Sequence, residues 1–403
     1  MSILKRFKNF ENLSNGLRYL YLHRAIRNIG WGFLNLFGVI FIYNLSGERV
    51  EFVLAFYGIV SVIYFLLLPL GAKLFRYTSL HRLMIISTFF CLLYLAGFYF
   101  LNENNRWIWA IVVALVFFDA FNKLVYWVPY HVDLARFVNK HHRGRQVSFI
   151  AVIVSVIGVV IPIFSSFIIE KYGFSVLFIL AGLGVLISAL PLVYIPHTRE
   201  EYEFGYLESF RKVFNKKHIK INAGYFADGF QSALGLYVWP IFIYLLLKGN
   251  YYGVGFVSAL IIFITVLLRF MVGELTDKWD KEKLLKMGNV LYAAGWVFKG
   301  LSVTGVHIFL AGVYHNFSNI FLRTPFDALT YEIAADEGHY VDEFSVLREM
   351  SLHLGKIFLA LVAILVYTWL GVVWVFVAGA IVSLLMGLIS KREFEAEMHP
   401  RQR

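Results

Sequence analysis

Residues 273–288 read GELTDKWDKEKLLKMG, a short charged segment between two apolar runs, 251–272 and 289–304. A hydrophilic connection of this kind reads as a surface loop joining two buried segments. Moving outward from it, apolar stretches long enough to cross a hydrocarbon core of about 30 Å recur from near Tyr19 to near Ser390. Across all 403 residues, 59% are hydrophobic and only 16% charged, and the mean hydropathy is +0.68. Ordinary soluble domains do not reach such values. Lipid offers no partner to an unpaired backbone group, so each crossing segment must be helical. The expected fold class is an all-α polytopic membrane protein.

Twelve spans are expected, near 19–43, 52–70, 83–101, 107–128, 147–169, 174–195, 221–247, 251–272, 288–304, 306–324, 350–368 and 370–389. The boundaries near Gly305 and Gly371 rest on little besides a glycine, which leaves ten or eleven crossings as the alternative. A net charge of +11 would suggest nucleic acid in a soluble chain, but here the basic residues crowd into short loops. Lys5, Arg6, Lys73, Arg76, Arg136, Lys140, Arg211, Lys212, Lys278 and Lys281 fall on one side of the spans, and Arg49, Arg106, Lys171 and Lys248 on the other. The positive-inside rule then puts both termini in the cytoplasm, with the chain in the plasma (inner) membrane. Nucleic acid is not an expected partner; membrane lipids and a small-molecule solute are.

Several chemistries are excluded. Cys91 is the single cysteine and lies in an apolar run, so no disulfide framework or multi-cysteine metal site is available. No P-loop is present, and the histidines of HHRGR at 141–145 have no third ligand in view. No catalytic residues, cofactor or metal are expected, and the chain does not read as an enzyme. The N-terminus lacks a cleavable-signal pattern, so the first span is expected to serve as the signal.

The longest polar stretch, 196–220, reads as a cytoplasmic linker, either an amphipathic helix on the inner leaflet or an ordered connector. It divides the chain into a six-helix bundle at 1–195, a second at 221–390 and a tail at 391–403. Internal similarity supports the division. GAKLFRYTSLHRLM from Gly71 parallels GELTDKWDKEKLLKM from Gly273, and Pro129 in VYWVPYHVD parallels Pro325 in FLRTPFDAL, at offsets of 202 and 196 residues. Two pseudo-symmetric bundles by duplication are a common transporter construction.

The segment from Gly273 resembles the signature loop of the major facilitator superfamily, roughly G-x-L-x-D-[RK]-x-x-[RK]-[RK], through Gly273, Leu275, Asp277, Lys278, Lys281 and Lys283, with Glu282 interrupting the basic pair. The resemblance implies a cytoplasmic gate in which Asp277 meets the partly positive start of the eleventh span near Glu349. Gly71 and Arg76 belong to the equivalent loop of the first half, where Phe75 stands in place of the aspartate. The exporter-associated pattern of the fifth span survives only as Pro162 with Ser165 and Ser166, and Ile161 replaces the glycine before proline.

The resemblance also implies that the first, fourth, seventh and tenth spans line a central cavity, and the polar residues within spans fall mostly on those four. Intramembrane ionisable residues are costly and by default face a cavity or a partner. Arg24, Arg27, Asn28, Trp31 and Asn35 recur at helical spacing on one face, as do Asp119, Asn122, Lys123 and Tyr126. Tyr225, Asp228, Gln231 and Ser232 cluster in the seventh span; His315, Asn319 and Arg323 share a face in the tenth. The bland readings are a structural Asp119–Lys123 pair, snorkelling of Arg24 and Arg27, and satisfied buried hydrogen bonds at Asp228 and His315. Lys356 and Arg269 read as gate or snorkelling residues.

The cavity candidates carry excess positive charge, which favours an anionic or zwitterionic solute. Asp228, Asp119 and His315 are the proton-coupling candidates. Asp228 leads because Asp119 has Lys123 four residues on, whereas Asp228 has no basic neighbour in sequence. The expected function is proton-coupled secondary transport by alternating access, by a monomer. The alternatives are a non-transporting receptor or assembly scaffold of the same fold, and a lipid or drug carrier.

Overall fold

The computed structural model describes residues 13–102, 105–138, 143–216, 218–276, 280–336 and 341–389, and every regular element among them is helical. Helix α1 (Asn15–Leu45) begins at Ser14, whose hydroxyl accepts a hydrogen bond from the Leu17 N–H at 3.3 Å. It is followed by α2 (Val50–Ala72), α3 (Leu80–Phe100), α4 (Ile108–Leu124) and α5 (Trp127–Phe137). Pro129 explains the break between the last two, because it has no N–H for the Val125 carbonyl one turn back. Helix α6 (Arg143–Ser188) turns at Gly173, whose φ of 79° suits glycine.

The linker contains α7 (Tyr206–Val213). After it, α8 (Ile219–Ala233) passes through a π-helical turn, Leu234–Val238, into α9 (Trp239–Leu246). Then come α10 (Tyr251–Thr276), α11 (Lys281–Gly300), α12 (Gly305–Asp336), α13 (Val341–Leu370) and α14 (Val372–Ser383). Gly305 opens α12, and Gly371, at φ 87°, separates α13 from α14. Both expected breaks therefore fall at helix ends.

Eight described segments are long and apolar enough to cross a membrane. Set against the twelve expected spans, the eight take the two helices that meet at the Gly173 kink as one segment, while α11 and α12 are diluted by polar residues and α14 is short. Large apolar side chains such as Trp369, 81% exposed, and Phe164, 57% exposed, face outward. An apolar exterior of this extent calls for lipid as solvent.

The helices before the linker pack on those after it along two seams, α2 against α13 and α6 against α10. Lipid tails are as apolar as leucine, so close packing rather than water exclusion joins such helices. Each seam has a glycine where the backbones approach. A methyl group on Gly58 would stand 2.8 Å from the Ala360 Cβ, and one on Gly255 would stand 2.8 Å from the Ser166 Cβ. Between the seams Tyr57 and Tyr237 stack with centroids 4.1 Å apart. At the end remote from the linker, the Asn44 amide donates to the Tyr251 hydroxyl at 2.8 Å and the Tyr244 hydroxyl at 3.1 Å.

Residues 198–209 are held to the neighbouring helices by their own contacts. Tyr202 is buried and pairs with Ser209 at 2.7 Å; its carbonyl accepts from the Lys73 ammonium at 2.8 Å. The Glu203 N–H donates to the Glu343 carboxylate at 2.9 Å, Thr198 donates to Asp133 at 2.5 Å, and Arg136 pairs with Glu200. The chain is thereby strapped to α2, α5 and the first turn of α13.

Candidate functional site

The polar stripes of α1 and α4 come together. Arg27 is 2% exposed; its Nη2 donates to the Asn122 Oδ1 at 2.8 Å and its guanidinium carbon lies 3.8 Å from the centroid of the Tyr126 ring. Its Nη1 is buried and has no hydrogen-bond partner among the described residues. A buried guanidinium is thus held by a neutral amide and an aromatic face, which leaves its charge without a carboxylate in the described ion pairs. Arg24 lies over Trp127 and Tyr130, at 4.9 and 5.2 Å from their centroids. Asp119 and Lys123 form the intrahelical pair that their spacing suggests, at 2.7 Å.

Asn28 returns its amide to the Arg24 carbonyl of its own helix at 2.7 Å, and Trp31 stacks on Tyr94. His23 escaped the sequence reading, because a lone histidine on an apolar helix carries no periodic signal. It is fully buried, with Nδ1 2.6 Å from the Ser188 carbonyl and Nε2 3.2 Å from the Tyr126 hydroxyl, partners 165 and 103 residues away.

In the second half the stripes of α8 and α12 also meet. Arg323 Nη1 reaches Asp228 Oδ1 at 2.5 Å, and its Nε reaches Asp327 at 3.1 Å. Asp228, 1% exposed, also accepts from Gln231 at 3.0 Å and Ser232 at 3.3 Å, and the Tyr292 hydroxyl of α11 donates to the Gln231 side-chain Oε1. Asp228 has no basic neighbour in sequence, yet it is paired. Its cation comes from another helix, 95 residues away, a separation that sequence proximity does not reveal.

Tyr225 is buried and bonds Thr330 at 3.3 Å, and Asn319 is half-buried. His315 is buried between Tyr292 and Trp296, with ring centroids at 4.1 and 4.3 Å. Lys299, 4% exposed, lies 4.5 Å from the centroids of Trp239 and Trp296.

The expected gate residues are spread out. Gly273 lies in α10, while Asp277 and Lys278 fall outside the described residues. Lys281 and Lys283 are exposed in the first turn of α11, which Asp280 caps by accepting from the Lys283 N–H at 2.9 Å. Gly71 packs against the Leu124 side chain of α4, and Arg76 makes an exposed pair with Glu201 at 3.3 Å. Phe75 is 1% exposed in an apolar cluster with Tyr202, Val213, Val346 and Met350, so this loop is anchored by burial where the signature carries a charge. His141 and His142 also lie outside the described residues, and no cluster suited to a metal ion occurs among those described.

Helices apolar outside, with ionisable residues gathered on the mutually facing stripes of α1 with α4 and α8 with α12, define a multi-pass integral membrane protein. A sequence model of the Major Facilitator Superfamily matches residues 20–341. The chain belongs to that family, whose members are membrane transporters rather than enzymes. It is 23% identical over 393 residues to the uncharacterized protein YqgE of Bacillus subtilis (strain 168), covering 91% of this chain and 87% of the relative. Its fold is similar to the human organic anion transporter MFSD10 (TETRAN), with TM-score 0.66, 14% identity, and 93% of this chain and 99% of that one covered. It is similar also to a POT family transporter solved with a thioalcohol-conjugated peptide, with TM-score 0.70, 11% identity, and 93% and 95% covered.

Proposed function

We propose that this protein is a secondary active transporter that moves a small organic anion or zwitterion by alternating access, driven by protons. It acts as a monomer in the plasma (inner) membrane, with twelve spans in two six-helix bundles, 1–195 and 221–390, joined by the linker 196–220, and with both termini and the tail 391–403 cytoplasmic. The observation that carries the substrate class is Arg27. A guanidinium 2% exposed, with a buried N–H lacking a partner among the described residues, is a costly arrangement that a ligand carboxylate or phosphate would complete. Arg24, Asn28, Trp31, Asn122, Lys123 and Tyr126 complete this side of the site.

The opposite side is Tyr225, Gln231, Asn319 and the Asp228–Arg323 pair. An anionic group that takes over Arg323 leaves Asp228 buried without its cation, and a buried carboxylate in that position takes a proton. Substrate and proton binding are then linked at one pair; Asp119 and His315 are the further proton candidates. Gly71, Arg76, Gly273, Asp277, Lys278, Lys281 and Lys283 are assigned to a gate at the cytoplasmic end on their resemblance to the signature loop and its first-half counterpart.

The test is a thermal-stability screen of sugars, amino acids, organic anions and cationic drugs, followed by uptake of the hits into proteoliposomes with and without an imposed pH gradient. A ligand that binds the folded state raises the melting temperature. Stabilisation by cationic compounds alone, or uptake indifferent to the gradient, overturns the reading.

A further inference from the structure

A proton drives a conformational change only through a group whose surroundings differ between the conformations. Asp119 is paired to Lys123 on its own helix, and Asp228 to Arg323 within the same half, so rigid rocking of one half against the other leaves both pairs as they are. Glu349 on α13 is placed differently. Its Oε2 accepts from the Tyr64 hydroxyl of α2 at 3.4 Å, and its Oε1 lies 3.6 Å from the His131 Nε2 of α5. Both partners belong to the other half of the chain, and Glu349 is only 5% exposed.

The surroundings are dense in titratable groups. On its own helix Arg348 reaches the Glu349 Oε1 at 3.3 Å, and Lys356 bonds His353, whose ring lies tilted against Tyr64 with centroids 4.1 Å apart. The charge of Asp228 on α8 acts on Glu349, that of Lys123 on α4 acts on Lys356 and His353, and those of Arg348, Arg24 on α1 and Arg323 on α12 act on His131.

We infer that Glu349 is a second proton-binding site, placed across the interface between the halves, that converts protonation into opening or closing of the cytoplasmic end. The inference rests on the proton-coupled transport proposed above. When that end opens, Tyr64 and His131 leave Glu349 together and water replaces them. The free energy of protonating Glu349 therefore differs between the two conformations, and proton concentration shifts their populations. Asp228 answers to substrate; Glu349 answers to the rocking itself.

The test uses the full chain in lipid nanodiscs, with the buried Cys91 replaced by Ala and spin labels at two pairs of exposed positions. Tyr77 and Lys286 report the cytoplasmic end, and Trp107 and Val303 the opposite end. Distance distributions are recorded from about pH 5 to 8, the window of physiological proton switches. Wild type is expected to shift populations with pH, oppositely for the two pairs. Glu349→Gln, an uncharged isostere, should hold at every pH the distribution that wild type reaches at its acid limit. Tyr64→Phe removes one hydroxyl and should keep the response while moving its midpoint by about one unit.

A wild type indifferent to pH overturns the coupling reading and this inference with it. A wild type that responds, with Glu349→Gln responding identically, overturns the role of Glu349 alone. Should Glu349→Gln fail to run as a monodisperse species, Tyr64→Phe decides: an unmoved midpoint overturns the inference.

Discussion

Replacing Arg27 by Gln removes a buried guanidinium whose described contacts are the Asn122 amide at 2.8 Å, the Tyr126 ring and an Nη1 with no partner among the described residues. If an anionic ligand group occupies that Nη1, the variant loses a charge-assisted hydrogen bond, worth about 1.5–3 kcal/mol, or roughly 10- to 150-fold in affinity. The assay is calorimetric titration of detergent-solubilised protein with the organic anion that most raises the melting temperature. It is paired with the neutral amide or ester of the same compound. Wild type should discriminate against the neutral form by about the same factor, and Arg27→Gln should barely discriminate, so that charge on the ligand and charge at residue 27 are coupled in a double-mutant cycle. Without ligand the variant should fold as well as wild type to within about 1–2 kcal/mol, because the lost amide bond is offset by relief of a buried charge. Undiminished discrimination in Arg27→Gln would refute the assignment, since the affinity would then come from another cation.

Other expectations follow from single contacts. Arg323→Gln leaves Asp228 buried without its cation and should cost about 3–5 kcal/mol in chemical denaturation, whereas the double variant with Asp228→Asn should recover much of that loss. Phe75→Asp restores the residue that the signature expects, yet it should lower the melting temperature by the equivalent of at least about 3 kcal/mol, because a 1% exposed ring is exchanged for an unpaired carboxylate. Gly58→Leu should cost about 1–3 kcal/mol by overpacking the α2–α13 seam, read as a lower melting temperature beside an unaltered helical circular dichroism. Arg76→Ala should change stability by less than about 1 kcal/mol, since its pair with Glu201 is 68% and 66% exposed.

The membrane class, the helical content and the major breaks were legible in the chain because each is written in local signals. Hydropathy marks the segments, and Pro129, Gly173, Gly305 and Gly371 mark where helices stop. The Asp119–Lys123 pair was equally legible, since four residues make one helical turn. Partners from different helices were not. Arg323 meets Asp228, Arg27 meets Asn122 and Tyr64 meets Glu349 across 95, 95 and 285 residues. No periodicity within one segment encodes which face of another segment it will touch.

The signature loop, 273–288, carries its resemblance to the superfamily in its charge pattern, because a loop's solvation is a local property. Its basic residues in the first turn of α11 are exposed, whereas Tyr64 and His131 meet Glu349 and Phe75 packs with Val346 and Met350 across the halves at that end. Which carboxylate feels the relative motion of the halves was decided by packing. The α2–α13 seam brings Tyr64 to Glu349, and Pro129 breaks the chain into α5, on which His131 stands. Sequence supplied the charges, and the tertiary fold determined which of them answer to one another.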